Sequence, residues 1–225
     1  MPTSVVRALW LSFLALLLSS GVVLAQRSGE EGVTIYRVDP KASEVRLLVY
    51  RDGVLSTFGH NHTVSLKEFT GTIRLQPKLA QSRVELDIPV DKLVVDDPAA
   101  RRQEGPDFAG EPSENDIAGT RTNMLSAALL NSAKFPAIKV IGTSGPVDAK
   151  NSAMLDITAQ LVGKEIKLTL PATLKLEGDQ LQAEGETELT HAQLGLKPFS
   201  ALLGSLRVAD QMKFKYRIRA SKVAK

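Results

Sequence analysis

The sequence contains three histidines, and two of them stand in the segment Gly59-His60-Asn61-His62. His60 and His62 are in phase with the apolar Val64, and His191 continues the apolar alternation that precedes it. Because alternate residues of a strand share a face, all three imidazoles are predicted to point inward. Two histidines at this spacing and a third from a distant strand could hold zinc or copper. Equally, they could be hydrogen-bonded polar residues at the mouth of a barrel, or contacts to the head group of a ligand.

No other pattern points to catalysis. The sequence has no cysteine, so it offers neither a thiol nucleophile nor a disulfide. It shows no Ser-His-acid spacing, phosphate loop or dinucleotide fingerprint. Asp96 and Asp97, and the acids between Asp107 and Glu114, lie beside Gly and Pro, where carboxylates are usually solvated. We therefore predict that the protein is not an enzyme.

Alternation of apolar and polar residues predicts the strands that would position these side chains. A tight turn is predicted at Val162-Gly163-Lys164, and a change of phase after Leu66 predicts a bulge near Lys67 and Glu68. The residues predicted to face inward are Val45, Leu47 and Val49; Val84, Leu86, Ile88 and Val90; Leu155, Ile157, Ala159 and Leu161; Ile166, Leu168, Leu170, Ala172, Leu174 and Leu176; Leu181, Ala183, Gly185, Thr187 and Leu189; and Met212, Phe214, Tyr216 and Ile218.

The alternation is interrupted once, in the middle of the chain. Pro98 to Pro112 is rich in Gly, Pro and charge, and predicts a loop. After it, apolar residues at helical spacing predict a helix from Asp116 to Leu130, capped by Asn115 and followed by Pro136.

The number of strands at hairpin spacing favours an all-β fold, an antiparallel lipocalin-like barrel of about eight strands with one helical insertion. A packed sandwich would show the same alternation, so the pattern by itself leaves both architectures open. The small inward residues Gly71, Ala159, Ala172, Ala183 and Gly185 indicate an interior that is not filled.

The start of the chain predicts export. Arg7 precedes an uncharged apolar run from Ala8 to Leu18, and Val23-Leu24-Ala25 fits a signal-peptidase site. The alternative is an uncleaved anchor. We predict a signal peptide over residues 1–25, a polar leader over 26–32 and one β-barrel domain over 33–225, in the periplasm or secreted. With 28 basic and 25 acidic residues the charge is too balanced to predict a nucleic-acid partner.

Several stretches resemble, in the same order, the YceI-like polyisoprenoid-binding proteins. Together they reach across most of Val33 to Ser221, and the chain has a Gly-His-x-His segment at 59–62. One difference is Met124, which stands where many members of that family have a histidine in an Arg-x-x-His-Leu sequence. The stretches are Tyr36-Arg37-Val38-Asp39-Pro40-Lys41-Ala42-Ser43-Glu44-Val45, Phe69-Thr70-Gly71-Thr72-Ile73, Lys134-Phe135-Pro136-Ala137-Ile138-Lys139-Val140 and Leu189-Thr190-His191-Ala192-Gln193-Leu194-Gly195-Leu196.

The resemblance implies a barrel whose apolar tunnel binds a polyisoprenoid, a quinone-like lipid or another long apolar ligand. Contact with a membrane surface and a homodimer are compatible with it. The alternative is a periplasmic metal-binding or redox-associated protein that uses His60, His62 and His191. The predicted ligand-binding residues are His60, His62, Phe69, Met124, His191, Leu196, Phe199 and Phe214, with Phe58, Phe108, Phe135 and Tyr216 as further candidates for the tunnel wall.

Overall fold

The computed structural model describes residues 32–224. The predicted signal peptide and nearly all of the polar leader lie outside the described residues. Two α-helices, α1 (Pro98–Arg102) and α2 (Glu114–Leu125), are set among strands, and no helix of residues 32–224 is long and apolar enough to cross a membrane. The strands are β1 (Thr34–Val38), β2 (Glu44–Asp52), β3 (His62–Leu66), β4 (Thr70–Leu75), β5 (Arg83–Pro89), β6 (Leu93–Val95), β7 (Ala137–Ser144), β8 (Ser152–Leu161), β9 (Lys164–Glu177), β10 (Gln180–Thr190), β11 (Ser200–Ala201) and β12 (Leu206–Lys222).

Eight strands form a closed antiparallel barrel in the order β1-β4-β5-β7-β8-β9-β10-β12, after which β12 returns to β1. The closing pair aligns Tyr36 of β1 with Lys222 of β12. Closure satisfies the backbone groups that an open sheet would expose at its edges. The predicted lipocalin-like barrel is therefore confirmed, and the sandwich is not the fold.

The last strand, β12, serves two parts of the wall. Its end pairs with β1, whereas the longer part before that pairs with β2, from Arg207 opposite Asp52 to Arg217 opposite Glu44. β2 in turn pairs with β3, and β3 with β6. β2, β3 and β6 therefore extend the sheet from β12. The segment Gly59–His62 connects β2 to β3 at one end of the barrel.

The predicted alternation is confirmed along most of the wall, where polar residues face out between apolar ones that face in. Val162 and Gly163 make the predicted tight turn, both with positive φ, as a two-residue hairpin requires. Leu176 was predicted to face inward but is 51% exposed, because it lies near the end of β9 beside the turn to β10. The inward residues include Val45, Leu47, Val84, Leu86, Ile157, Leu170, Leu181, Leu189, Phe214 and Ile218.

The predicted bulge near Lys67 and Glu68 is wrong. The chain ends β3 at Leu66 and begins β4 at Thr70. β3 pairs with β2 and β6, whereas β4 pairs with β1 and β5. The change of phase in the sequence therefore marks a change of partner strands, and not an extra residue within one ladder.

Two of the small inward residues do not open the interior. A Cβ atom on Gly71 would lie 2.5 Å from a methyl group of Leu86, and one on Gly185 would lie 2.0 Å from a carbonyl oxygen of β9. These glycines admit neighbouring atoms that fill the space. Ala159 and Ala183, in contrast, face the central cavity as predicted.

The segment predicted as a loop contains the short helix α1 and is packed on the outside of the barrel. We call residues 96–113 the strap. Ala100 and Phe108 of the strap are buried, and the Phe108 ring meets Tyr50 of β2 edge-on, with ring centres 5.6 Å apart. Leu48, on the outer face of β2, is 2% exposed. The wall formed by β2 and β3 is therefore covered on its outer face as well.

The helix after the strap differs from the prediction at both ends. α2 begins after Ser113, not Asn115, because Ser113 and Asp116 satisfy each other's backbone amides in a capping box. It ends at Leu125, where Ser126 turns the backbone to an extended conformation, and so does not reach Leu130.

Candidate ligand-binding cavity

A cavity of about 670 Å³ runs through the barrel. Side chains from most of the strands and from α2 form its wall, and nearly all of them are hydrocarbon. Ligand sites commonly have volumes of about 300–1,000 Å³. The cavity is therefore large enough for the hydrocarbon part of one ligand. Its body is lined by Leu86, Val140, Ile157, Leu168, Phe214 and Ile218, among others.

The structure places most of the predicted ligand-binding residues on this wall, and these are His60, His62, Met124, His191, Leu196, Phe199 and Phe214. Phe69 does not line the cavity, because it packs within the solid part of the core. Of the other aromatic candidates, Phe58 and Tyr216 line the cavity. Phe108 belongs to the strap and packs on Tyr50 outside the barrel, and Phe135 packs over the β8–β9 turn. Contact of any of these residues with a ligand stays a prediction.

One end of the cavity rests on a buried polar network centred on Asp96, which is 2% exposed. Its carboxylate lies 2.6 Å from His62 Nδ1 and accepts hydrogen bonds from Arg101 Nη1 (2.6 Å) and the Thr63 amide (2.9 Å). Burial raises the pKa of Asp96, but the bonds from His62, Thr63 and Arg101 together hold it below its usual value. Asp96 is therefore an ionised acceptor, and Nδ1 of His62 is the donor.

Arg101 ties this network to the strap. Besides Asp96, its guanidinium donates to the carbonyl oxygens of Asn61 and Gly110, both at 2.6 Å. The side chain is 6% exposed, so its charge is compensated by these acceptors and by Asp96 rather than by solvent. Neither Asp96 nor Arg101 was predicted to be functional. The sequence holds one signal for this pair: Asp96 directly follows the apolar Val95, and Arg101 stands five residues later.

The bond to Asp96 leaves Nε2 of His62 3.5 Å from Thr120 Oγ1 on α2. In a neutral imidazole that is protonated on Nδ1, Nε2 is a hydrogen-bond acceptor. The His60 ring lies beside His62, with ring centres 6.2 Å apart, and Asn123 of α2 lines the same end. The apolar cavity therefore ends in a polar patch shared by β3 and α2.

α2 is held at this end by Arg121, which donates to the carbonyl oxygens of Leu93 (3.0 Å) and Asp91 (2.6 Å). Met124 of the same helix is buried and faces the cavity. Met124 therefore presents a thioether to the cavity. The position contributes an apolar contact to the cavity instead of a charge or a strong donor.

The third histidine, His191, lies in a different environment from His60 and His62. His191 follows β10, is 5% exposed, and lies with Nδ1 3.0 Å from the carbonyl oxygen of Asp210. Two strands, β12 and β2, separate it from His62 in the sheet. Among residues 32–224, no group of three or more His, Asp or Glu side chains is placed to hold a metal ion. The predicted set of His60, His62 and His191 is thus not assembled, because alternation predicts a face and not which strands are neighbours.

Comparison with known proteins identifies the kind of barrel. The family model of the YceI-like domain matches residues 36–220. No curated protein matches the chain. Among solved structures, BcnA of Burkholderia cenocepacia is 15% identical with a TM-score of 0.59, over 82% of this chain and 99% of that chain.

Two further structures show the same fold. A polyisoprenoid binding domain from Saccharophagus degradans, implicated in plant cell wall breakdown, is 11% identical with a TM-score of 0.51, over 84% of this chain and 98% of that one. The YceI protein of Campylobacter jejuni is 8% identical with a TM-score of 0.51, over 72% of this chain and 85% of that one. At these identities the likeness concerns the fold.

Proposed function

Because the chain belongs to the YceI-like family, we propose that it binds one long apolar ligand, an isoprenoid or a similar lipid, inside its barrel. The observation that carries the proposal is the cavity of about 670 Å³ with its hydrocarbon wall. Removing roughly 300 Å² of hydrocarbon from water contributes about 7 kcal/mol before the entropic cost of association. Affinity of this kind needs few polar contacts.

The ligand would lie with its hydrocarbon chain in the body of the cavity and its polar end beside His60 and His62. We base this orientation on His62, Thr120 and Asn123, which meet at one end of the cavity beside His60. Because Nδ1 of His62 donates to Asp96, Nε2 can accept a hydrogen bond from a ligand hydroxyl in place of Thr120. A prenol or a quinol would supply such a hydroxyl.

We further propose that the protein works outside the cytoplasm, in the periplasm or after secretion. The apolar run from Ala8 to Leu18 and the small residues before Gln26 support this location. The solved domain from Saccharophagus degradans is described as polyisoprenoid binding, which supports the same ligand class here. The family supports a binding role for this chain and not a catalytic role.

The direct test is to purify the protein gently from the cells that make it and to extract it with organic solvent. Mass spectrometry of the extract is expected to show a long-chain isoprenoid lipid in about equimolar amount. Protein from native membranes that repeatedly carries no lipid would contradict the proposal.

A pair of variants controls for lipid adsorbed to the outside. Ala183→Trp places a large side chain in the cavity, whereas Glu188→Trp adds the same side chain to the exposed outer face of β10. We expect the first to lose the lipid and the second to retain it. Equal lipid content in two folded variants would place the lipid outside the barrel.

A further inference from the structure

An exposed apolar surface lies at one end of the barrel. Two connections form it, the segment between β2 and β3 and the segment that leads into β12. We call these side chains the apolar tip, and they are Val54 (88% exposed), Phe58 (79%), Phe199 (43%), Leu202 (63%) and Leu203 (fully exposed).

The two connections are fastened to each other. The Leu55 amide donates to the Ser205 carbonyl oxygen at 2.8 Å, and Arg207 Nε donates to the carboxylate of Asp52 at 2.8 Å. Leu202 and Leu203 both have positive φ, 50° and 56°, a conformation that bulky residues rarely adopt. The backbone therefore holds two leucines outward at a position where glycine would be less strained.

The apolar tip is continuous with the cavity. Phe58 and Phe199 are exposed and also belong to the cavity wall, together with Leu206 and Gly59 of the same two connections. A hydrocarbon chain could pass from the tip to the interior along these side chains. The tip is thus the outer rim of the mouth.

Three basic residues lie in or next to these two connections. Arg51 and Lys197 are exposed, and neither makes an ion pair within the described part of the chain. Arg207 is also exposed and is paired with Asp52. Apolar side chains that project between cations are the combination that binds the interface of an anionic bilayer.

We propose that the apolar tip inserts into the surface of a bilayer that contains anionic phospholipids, and so places the cavity mouth against the membrane. The choice of a bilayer over another occupant rests on the proposed function, since a long isoprenoid lipid is itself dissolved in membranes. The docked protein would exchange the ligand without carrying the hydrocarbon chain through water.

The most direct test measures whether the apolar tip reaches the acyl chains of the bilayer. In the full chain, Trp10, the one tryptophan of the sequence, is replaced by Phe, and Leu203→Trp is introduced as a probe. The matched control is Leu176→Trp, also exposed, but on β9 beside the turn to β10, which is paired with the far end of β12. The probe is mixed with phosphatidylethanolamine and phosphatidylglycerol vesicles whose acyl chains carry bromine.

Bromine quenches only tryptophans that reach the acyl chains. We expect loss of emission from Leu203→Trp and none from Leu176→Trp, even if another part of the chain also holds the protein on the vesicle. Equal quenching at both positions, or none at Leu203→Trp, overturns the proposal.

A second experiment separates docking from ligand binding. Leu202→Asp combined with Leu203→Asp is expected to slow transfer of a polyprenol from vesicles to the protein about ten-fold or more, while binding of polyprenol supplied in detergent is unchanged. The control, Met154→Asp with Leu176→Asp, should transfer normally. If the wild-type protein binds polyprenol neither from vesicles nor from detergent, the proposed function is wrong. The quenching experiment then still shows whether the apolar tip enters the bilayer. If the tip variant instead converts a dimer to a monomer in light scattering, a second copy covers the tip and the proposal is overturned.

Discussion

The two faces of the wall formed by β2 and β3 meet different surroundings. On the inner face, Leu47 and Val64 border the cavity. On the outer face, Leu48 is packed beneath the strap, close to the buried charges of Asp96 and Arg101. The inner face therefore borders space for a ligand, whereas the outer face is packed. Asp96 joins the two, since its carboxylate is fixed by the strap and in turn orients His62 at the cavity.

The largest effect is expected from breaking the outer network. Arg101→Ala removes the partner of a buried carboxylate and should lower the free energy of unfolding by about 3–5 kcal/mol. Arg102→Ala, at the neighbouring exposed position of α1, should change it by no more than about 0.5 kcal/mol. Urea unfolding measures both. Similar losses in the two variants would mean that the strap does not depend on the buried pair.

Acid should break the same network reversibly. The pKa of Asp96 in the folded protein lies below the ordinary 3.8, so Asp96 stabilises the fold above that pH. The stabilisation is lost as the pH falls through the lower pKa of the folded state. Thermal unfolding across the acid range should therefore show a shallower decline for Asp96→Asn than for the wild type. Asp91→Asn, on the exposed segment before β6, should retain the wild-type decline.

Leu47 and Leu48 are neighbours in β2 and face opposite sides of the wall, so variants of the two residues compare the two faces directly. Leu48→Ala should lower the free energy of unfolding by about 2–4 kcal/mol, because it leaves a hole in a packed layer. Leu47→Ala should cost only about 1 kcal/mol, since one side of Leu47 already borders the cavity. Ligand affinity should show the opposite order, with the loss confined to Leu47→Ala. If Leu47→Ala were the more destabilising, the inner face would be the one that holds the wall together.

The smallest effect concerns two hydroxyls beneath the strap. Thr63 Oγ1 and Ser65 Oγ are buried and make no hydrogen bond within the described residues. Thr63→Val keeps the shape of the side chain and removes the unsatisfied hydroxyl, so it should stabilise the protein by up to about 1 kcal/mol. A clear destabilisation in calorimetry would show that this hydroxyl has a partner, such as an ordered water.

The inner face could be predicted from the sequence, and the outer face could not. Alternation of period two is a local property, so Leu155, Ile157 and Phe214 could be assigned to one side without knowledge of their neighbours. The burial of Asp96 depends on contacts with α1 and β3, which composition does not encode. A Gly- and Pro-rich segment with many charges is the same sequence whether it is solvated or lies over an apolar strand. For this reason the sequence predicted a loop but not its packing against the barrel.

The candidate site was predicted in the same uneven way. His60 and His62 were correctly placed on the inner face, but the partner that fixes His62 was missed. The grouping with His191 failed because the order β3-β2-β12-β10 is set by long-range pairing. Resemblance to a family supplied the barrel, since pattern alone could not separate it from a sandwich.

The double role of β12 also constrains the order in which the molecule can form. β10, β2 and β1 all hydrogen-bond to this one strand, and the second edge of β1 is paired only where Tyr36 meets Lys222 and its neighbours at the end of β12. A chain that grows from its N-terminus can pair β8 with β9 early, but it cannot complete the wall until the final residues are available. Removing even the residues after Tyr216 would leave β1 without its closing partner and expose two strand edges to other chains. Because of this topology, we expect the protein to be soluble only when the C-terminal end of β12 is present.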